Sequence, residues 1–218
     1  DLRNPLASIE GFLEAFDHGL DAEDQNAIKD QLIRLVQNSR GLLDNLVKWG
    51  KKNNQAKFET LNAKEIAMEA IGTLKPIAAN KDISINVLMD EDDALVVADA
   101  NMLEMVIRNL VSNAIKFTRS GGWIKIRAYT HSDYIALEVE DNGVGMDDKQ
   151  RQKLFTPDKV ISSGTNAERG VGLGLLLCKE FVEKMKGSIS CSSIKDKGSK
   201  FKISLPIPSN TIAAANVK

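Results

Sequence analysis

Only two cysteines, Cys178 and Cys191, occur in 218 residues. So low a count excludes a disulfide-stapled scaffold and favours a reduced setting. No apolar run approaches the ~18 residues of a membrane-crossing helix, and no stretch has the pattern of a signal peptide. Neither sign of charge dominates: the formal net charge is -1, which gives no reason to expect non-specific binding to nucleic acid. No internal repeat is visible. What remains is ordinary for a globular protein, with 43% apolar and 27% charged residues and enough chain to bury a core. The expectation is a soluble, cytoplasmic chain, with membrane attachment only through segments upstream of Asp1.

The first fifty residues carry two heptad seams. Leu2, Leu6, Ile9, Leu13, Phe16 and Leu20 form one, and Ile28, Leu32, Leu35, Ser39, Leu42, Leu46 and Trp49 form the other. Alternating steps of about three and four residues are the coiled-coil period. Gly19 offers a stop and Asp21 a new N-cap, so the reading is an antiparallel helical hairpin. Val36, Leu43 and Val47 widen the apolar face of its second helix. Two covers fit that face: a second hairpin, completing a homodimeric four-helix bundle through residues 1–50, or the rest of the same chain. Pro5 is either an N-terminal helix residue or a deliberate kink beside Asp1, Arg3 and Asn4.

The polar stretch KKNNQAKFET breaks the heptads, and the expected organisation is a hairpin over 1–57, a second domain over 58–208 and a tail over 209–218. The fold class is α+β: the hairpin, then a two-layer α/β sandwich with a mixed, mostly antiparallel sheet. Asn62 and Glu65 approach a capping box before a stripe of Ile66, Ala70, Leu74 and Ile77. ISINVLM and ALVVA read as strands around an acidic hairpin turn, Asp90–Asp93, rather than as walls of a metal cluster. WIKIRAYT and YIALEVE alternate as half-buried antiparallel strands, and SISCSS and KFKISLP close the domain.

Three segments carry chemistry. In NMLEMVIRNLVSNAIKFT a core stripe of Leu103, Ile107, Leu110 and Ala114 leaves Asn109, Asn113 and Lys116 on another face. Two amides and an ammonium suit a metal-bound polyphosphate, although a solvated helix face reads the same way. EDNGVGMDD follows a strand, with Asp141 at its end and Gly143 and Gly145 beyond. This is either a plain glycine turn or a carboxylate that accepts from an exocyclic amine such as that of adenine. Gly170, Gly172 and Gly174 alternate into a helix start, where backbone N–H groups and the helix dipole suit phosphate. Cys178 falls on that helix's buried face as a core residue. Ahead of it, TPDKVISSGTNAERG reads as a mobile lid.

Each piece is ambiguous, but their order is specific. Asn-x3-Asn-x2-Lys-Phe, then Asp-x-Gly-x-Gly, a lid, Gly-x-Gly-x-Gly and GSKF before the last strand resemble the Bergerat-type ATP-binding catalytic domain of two-component sensor histidine kinases. DLRNPL resembles the end of the phosphoacceptor motif His-(Glu/Asp)-Leu-Arg-x-Pro-Leu, so the sequence is expected to start just after the phosphoacceptor histidine and to be unable to phosphorylate itself. His18 and His131 stand outside that motif. The resemblance implies ATP and Mg²⁺ as cofactors and a response-regulator receiver domain as partner, with no nucleic acid. It implies Asn113 as the Mg²⁺ ligand, Asn109 in support, Lys116 on phosphate and Phe117 against adenine. It further implies Asp141 on the adenine amine, with Gly143 and Gly145 around the base. Gly170, Gly172 and Gly174 would hold the phosphates, Ser199 would approach adenine through water, and Phe155 matches the family's phenylalanine box. Asp1 would be the general base, and Asn4 would position water for dephosphorylation.

Two rivals stand beside this reading. A gyrase- or chaperone-type ATPase would need a glutamate where Asn109 stands, to activate water. A non-catalytic ATP-binding dimerisation scaffold would need no phosphoacceptor at all.

Overall fold

A computed structural model describes residues 56–89, 94–131, 133–156, 165 and 174–208. The hairpin expected over 1–57, the turn at 90–93 and the tail from 209 fall outside the described residues, apart from 56 and 57.

Two antiparallel strands open the domain. β1 (Glu59–Asn62) pairs with β3 (Leu95–Ala98), Glu59 opposite Ala98 and Asn62 opposite Leu95. The main sheet has five strands in the order β2-β4-β5-β7-β6. β2 (Ser84–Leu88) runs parallel to β4 (Trp123–Thr130), and β4 antiparallel to β5 (Tyr134–Asp141). β7 (Gly198–Pro206) is inserted between β5 and β6 (Ser188–Ile194), antiparallel to both. The sheet is therefore mixed and mostly antiparallel, as the alternating runs predict.

Two local expectations fail. ISINVLM and ALVVA do not form a hairpin: β2 lies at the edge of the large sheet, while β3 belongs to the small one with β1. Alternation says which side chains share a face, not which strand lies alongside. β1 itself gives little signal, because ETLN holds a single large apolar residue, Leu61.

The stripe from Ile66 to Ile77 is also broken. α1 (Ala63–Gly72) ends at Thr73, and α2 (Lys75–Asn80) restarts with Pro76 in its first turn. In a continuous helix Pro76 would lack its N–H bond and clash with the preceding turn, so the chain breaks first. The buried face is Ala63, Ala67, Ala70 and Ile71, and Ile77 is 55% exposed. Asn62 caps α1 by accepting from the Lys64 N–H at 2.9 Å, without the reciprocal bond of a capping box.

α3 (Ala100–Phe117) is the central helix, packed between α1 and α5 (Gly174–Lys184) and against β4 and β5. Asp99 starts it by accepting from Asn101 N (3.0 Å) and Met102 N (3.1 Å). Its second carboxylate oxygen accepts from Lys57 N at 2.9 Å, tying in the chain ahead of β1. Leu103, Val106, Ile107, Leu110, Val111 and Ala114 are all buried. They meet Ile124, Ile126, Ile135, Leu137 and Val139 of the sheet in one core. β5 is more buried than a half-exposed strand: Ala136 and Glu138, on its other face, are also shielded. A central strand has neighbours on both sides, and Lys200 reaches the Glu138 carboxylate at 3.6 Å.

Leu110, 1% exposed, is expected to carry a large share of this core. Leu110→Ala should lower unfolding stability by about 2–5 kcal/mol, read as a shifted urea midpoint at unchanged slope. A loss below ~1 kcal/mol would mean that α3 is not the centre of the core.

Candidate functional site

The polar face of α3 supplies the first wall. Asn113 Nδ2 donates to Asn109 Oδ1 at 3.0 Å, one helical turn away. That bond runs from the amide nitrogen of Asn113, so its oxygen, a neutral acceptor, takes no part in it. Lys116 Nζ lies 4.9 Å from the centre of the Phe117 ring, within cation–π range. Both residues are half-buried.

The end of α3 is fastened by two residues with no sequence signal. Lys81, 8% exposed, donates from Nζ to the carbonyls of Ile115 (2.9 Å) and Lys116 (3.1 Å). A cation here satisfies terminal carbonyls and complements the negative end of the helix dipole. Thr165 donates from its backbone N to Lys116 O at 3.1 Å, and from Oγ1 to Lys116 O at 3.2 Å and Thr118 O at 3.0 Å. Thr165 belongs to the stretch read as a lid, whose other residues from 157 to 170 lie outside those described. A sequence shows neither contact, because each joins segments more than thirty residues apart.

The second wall is the end of β5. Asp141 is 4% exposed, and its Oδ1 accepts from Gly143 N (2.9 Å) and Ser199 N (3.2 Å). Burial pushes its carboxyl up to about 6, against the opposing pull of those two backbone bonds. The following loop folds back on α3: Val144 N donates to Phe117 O at 3.0 Å. Gly145 has φ +59°, and a side chain there would strike the Ile194 carbonyl, so the loop tip requires glycine. Asp147 then caps α4 (Asp148–Gln152) in a full capping box with Gln150. Phe155, just past α4, is half-buried against the domain core.

The third wall is the start of α5. Gly174 opens that helix against Asn109, and a Cβ there would collide with the Asn109 amide. Gly170 and Gly172 lie outside the described residues, as do Asp1 and Asn4. Cys178 is buried on α5, in line with a core role, and His131 is exposed between β4 and β5 with its ring stacked on Tyr134.

The structure thus joins the expected residues pairwise: Asn109 with Asn113 and Gly174, Phe117 with the glycine loop, and Asp141 with Gly143 and Ser199. An acceptor carboxylate, an aromatic ring and the Lys116 ammonium suit a ligand with an amine-bearing base and anionic groups. Among the described residues no group of three or more His, Cys, Asp or Glu side chains could hold a metal unaided. No helix among them is long and apolar enough to cross a membrane.

Residues 98–209 match the family described as histidine kinase-, DNA gyrase B-, and HSP90-like ATPase. Sensor protein KdpD of Clostridium acetobutylicum is 32% identical over 219 residues, covering 94% of this chain and 23% of KdpD. Sensor histidine kinase RcsC of Escherichia coli K12 is 30% identical over 216 residues, covering 95% of this chain and 22% of RcsC. The chain therefore spans less than a quarter of the length of these relatives. Among solved structures, the catalytic domain of histidine kinase ThkA superposes with a TM-score of 0.61 at 26% identity, covering 69% of this chain and 96% of that one. Histidine kinase ThkA in complex with response regulator protein TrrA shares the fold, with a TM-score of 0.67 at 24% identity, covering 95% of this chain and 59% of that one.

A carboxyl raised from 3.8 to about 6 costs stability wherever it is ionised. Its neutral form favours the fold fully below pH 3.8, and that contribution fades as pH rises through about 6. Asp141→Asn keeps an oxygen for both backbone bonds and removes the charge. Without nucleotide at pH 7 it should therefore be more stable than wild type by about 1–3 kcal/mol, an advantage that shrinks towards pH 4. Melting curves across that range check the sign, and a less stable Asp141→Asn at pH 7 would contradict it.

Proposed function

The chain belongs to the histidine kinase-, DNA gyrase B-, and HSP90-like ATPase family and contains the ATP-binding catalytic domain of a sensor histidine kinase; on that footing we propose that it is the core of a kinase that transfers the γ-phosphoryl group of ATP to a histidine, which these residues lack at the motif, and onward to an aspartate of a response regulator. The observation that carries this reading is the buried Asp141 carboxylate, held by the Gly143 and Ser199 amides beside Phe117. An ionised acceptor excluded from water is unfavourable for the fold, and a ligand that donates to it compensates.

ATP would supply the phosphoryl group, and Mg²⁺ the neutralisation of phosphate charge that such transfer needs. The residues present fit both. The Oδ1 of Asn113, which takes no part in the bond to Asn109, would be a hard neutral ligand for Mg²⁺. Asn109 keeps that amide in place, and Lys116 contacts phosphate. Asp141 accepts from the amine of adenine, Phe117 packs on the base, Gly143 and Gly145 allow its close approach, and Ser199 reaches it through water. Gly170, Gly172 and Gly174 receive phosphate oxygens. Asp1 serves as general base towards the acceptor histidine, and Asn4 positions water for the reverse step on the regulator.

The amide of Asn109 favours phosphoryl transfer to a side chain over hydrolysis, since an amide cannot deprotonate water. The seams of residues 1–50 support a homodimer. The fold shared with ThkA in complex with its response regulator supports that class of partner.

Two substitutions separate the roles. Asp141→Asn should weaken ATP by about 10–100-fold, the worth of a charge-assisted hydrogen bond, and leave inorganic triphosphate nearly unchanged. Asn113→Ala should weaken ATP mainly with Mg²⁺ present and little in EDTA. Calorimetry reads both contrasts. Equal losses for ATP and triphosphate in Asp141→Asn would make that residue part of a turn, and equal losses for Asn113→Ala with and without Mg²⁺ would remove its metal role. Wild-type ATP affinity should also fall as pH drops below about 6, because a protonated Asp141 loses its charge as an acceptor.

A further inference from the structure

Asp141, Ser199 and Ser193 stand directly opposite one another across β5, β7 and β6. The row lies on the sheet face that carries Val139 and Phe201 into the core, so its side chains point to the helix side. Ser199 is 8% exposed and holds Asp141 through its backbone amide. Ser193, at the end of the row, was not singled out by any sequence pattern. Its hydroxyl nevertheless meets three partners: Met146 N at 2.8 Å, Gly198 O at 2.9 Å and Ser199 Oγ at 3.0 Å.

Proton counting decides how these bonds run. A serine hydroxyl has one proton and two acceptor sites. Met146 N–H can only donate, and Gly198 O can only accept. Ser193 therefore accepts from Met146 and gives its proton to Gly198. Its remaining acceptor site faces Ser199, so the Ser199 hydroxyl must donate to Ser193. All three capacities of Ser193 are then used. The Ser199 oxygen, with its proton directed away, presents only lone pairs beside Asp141.

We propose that Ser193 is a positioning residue that fixes the Ser199 hydroxyl as an acceptor and anchors the glycine loop, so that this end of the site selects a 6-amino over a 6-oxo purine. The inference rests on the nucleotide-site reading above and deepens it. Asp141 alone offers one acceptor to a group that carries two protons. Ser199, held as a second acceptor and in direct contact rather than through water, matches the other proton and opposes a carbonyl. Without Ser193, Ser199 can rotate and donate to that carbonyl.

Inosine triphosphate isolates position 6, since it differs from ATP only by the oxo group and the ring proton that accompanies it. Binding of Mg·ATP and Mg·ITP is measured by calorimetry for wild type, Ser193→Ala and Ser193→Thr, with a thermal melt of each. In Ser193→Ala the ATP-to-ITP affinity ratio should fall about 3–10-fold, the range of one neutral hydrogen bond, while inorganic triphosphate binds as in wild type. Ser193→Thr, which keeps the hydroxyl, should restore most of the ratio. Equal weakening of ATP and ITP in Ser193→Ala, or no change in either, overturns the assignment and leaves Ser193 a strand residue. If wild type binds neither nucleotide, the site reading itself falls. If wild type prefers ATP and Ser193→Ala keeps that preference, only the role of Ser193 falls.

Discussion

A carboxylate almost withdrawn from water, at the last residue of β5, sets the conditions for everything around it. Asp141 is tolerable there because two backbone amides, from Gly143 in the next turn and Ser199 on the neighbouring strand, converge on one of its oxygens. Both amides must be present in fixed geometry, so the register of β5 against β7 and the tight loop after β5 are coupled. The loop closes only with glycine at position 145, and it bonds to the end of α3 through Val144. Compensation of the buried charge is incomplete, as its raised proton affinity records. Ligand-ready sites commonly retain such an imbalance in the free protein.

α3 links this charge to the rest of the domain. One of its faces fills the core and another carries the amide pair, so any rotation of the helix that moved Asn113 would also unpack Leu103, Ile107 and Leu110. Its two ends are held by different means. A carboxylate caps the positive end through Asp99, and an ammonium caps the negative end through Lys81. The amides consequently sit on a rigid element rather than on a loop, which fixes their geometry.

Much of this was legible in the sequence where the signal is local. The stripe of α3, the alternation of β4 and β5, and the carboxylate followed by spaced glycines all depend on residues within a few positions of one another. What failed was long-range. β2 and β3 have clear strand patterns, yet nothing in them says that one pairs with β4 and the other with β1. Ile77 keeps helical phase with Ile66 but lies beyond the break that Pro76 enforces. Lys81, Thr165 and Ser193 are ordinary residue types whose roles come from partners 34, 49 and 47 positions away. The Asn109–Asn113 pair was visible as a spacing, but its hydrogen bond was not.

The insertion of β7 between β5 and β6 has a consequence for biosynthesis. A chain leaving the ribosome exposes β4, β5 and α3 first, then β6, and only afterwards the strand that belongs in the middle of the sheet. Until that strand arrives, β5 has one unpaired edge, and Asp141 lacks the Ser199 amide that helps hold it. The nascent domain can collapse around α3 early, but its recognition row can close only when the last strand docks. An emerging polypeptide therefore passes through a stage that lacks Phe201, Ile203 and Leu205 from the core and Ser199 from the row. The open β5 edge is then the segment that most needs shielding from other chains.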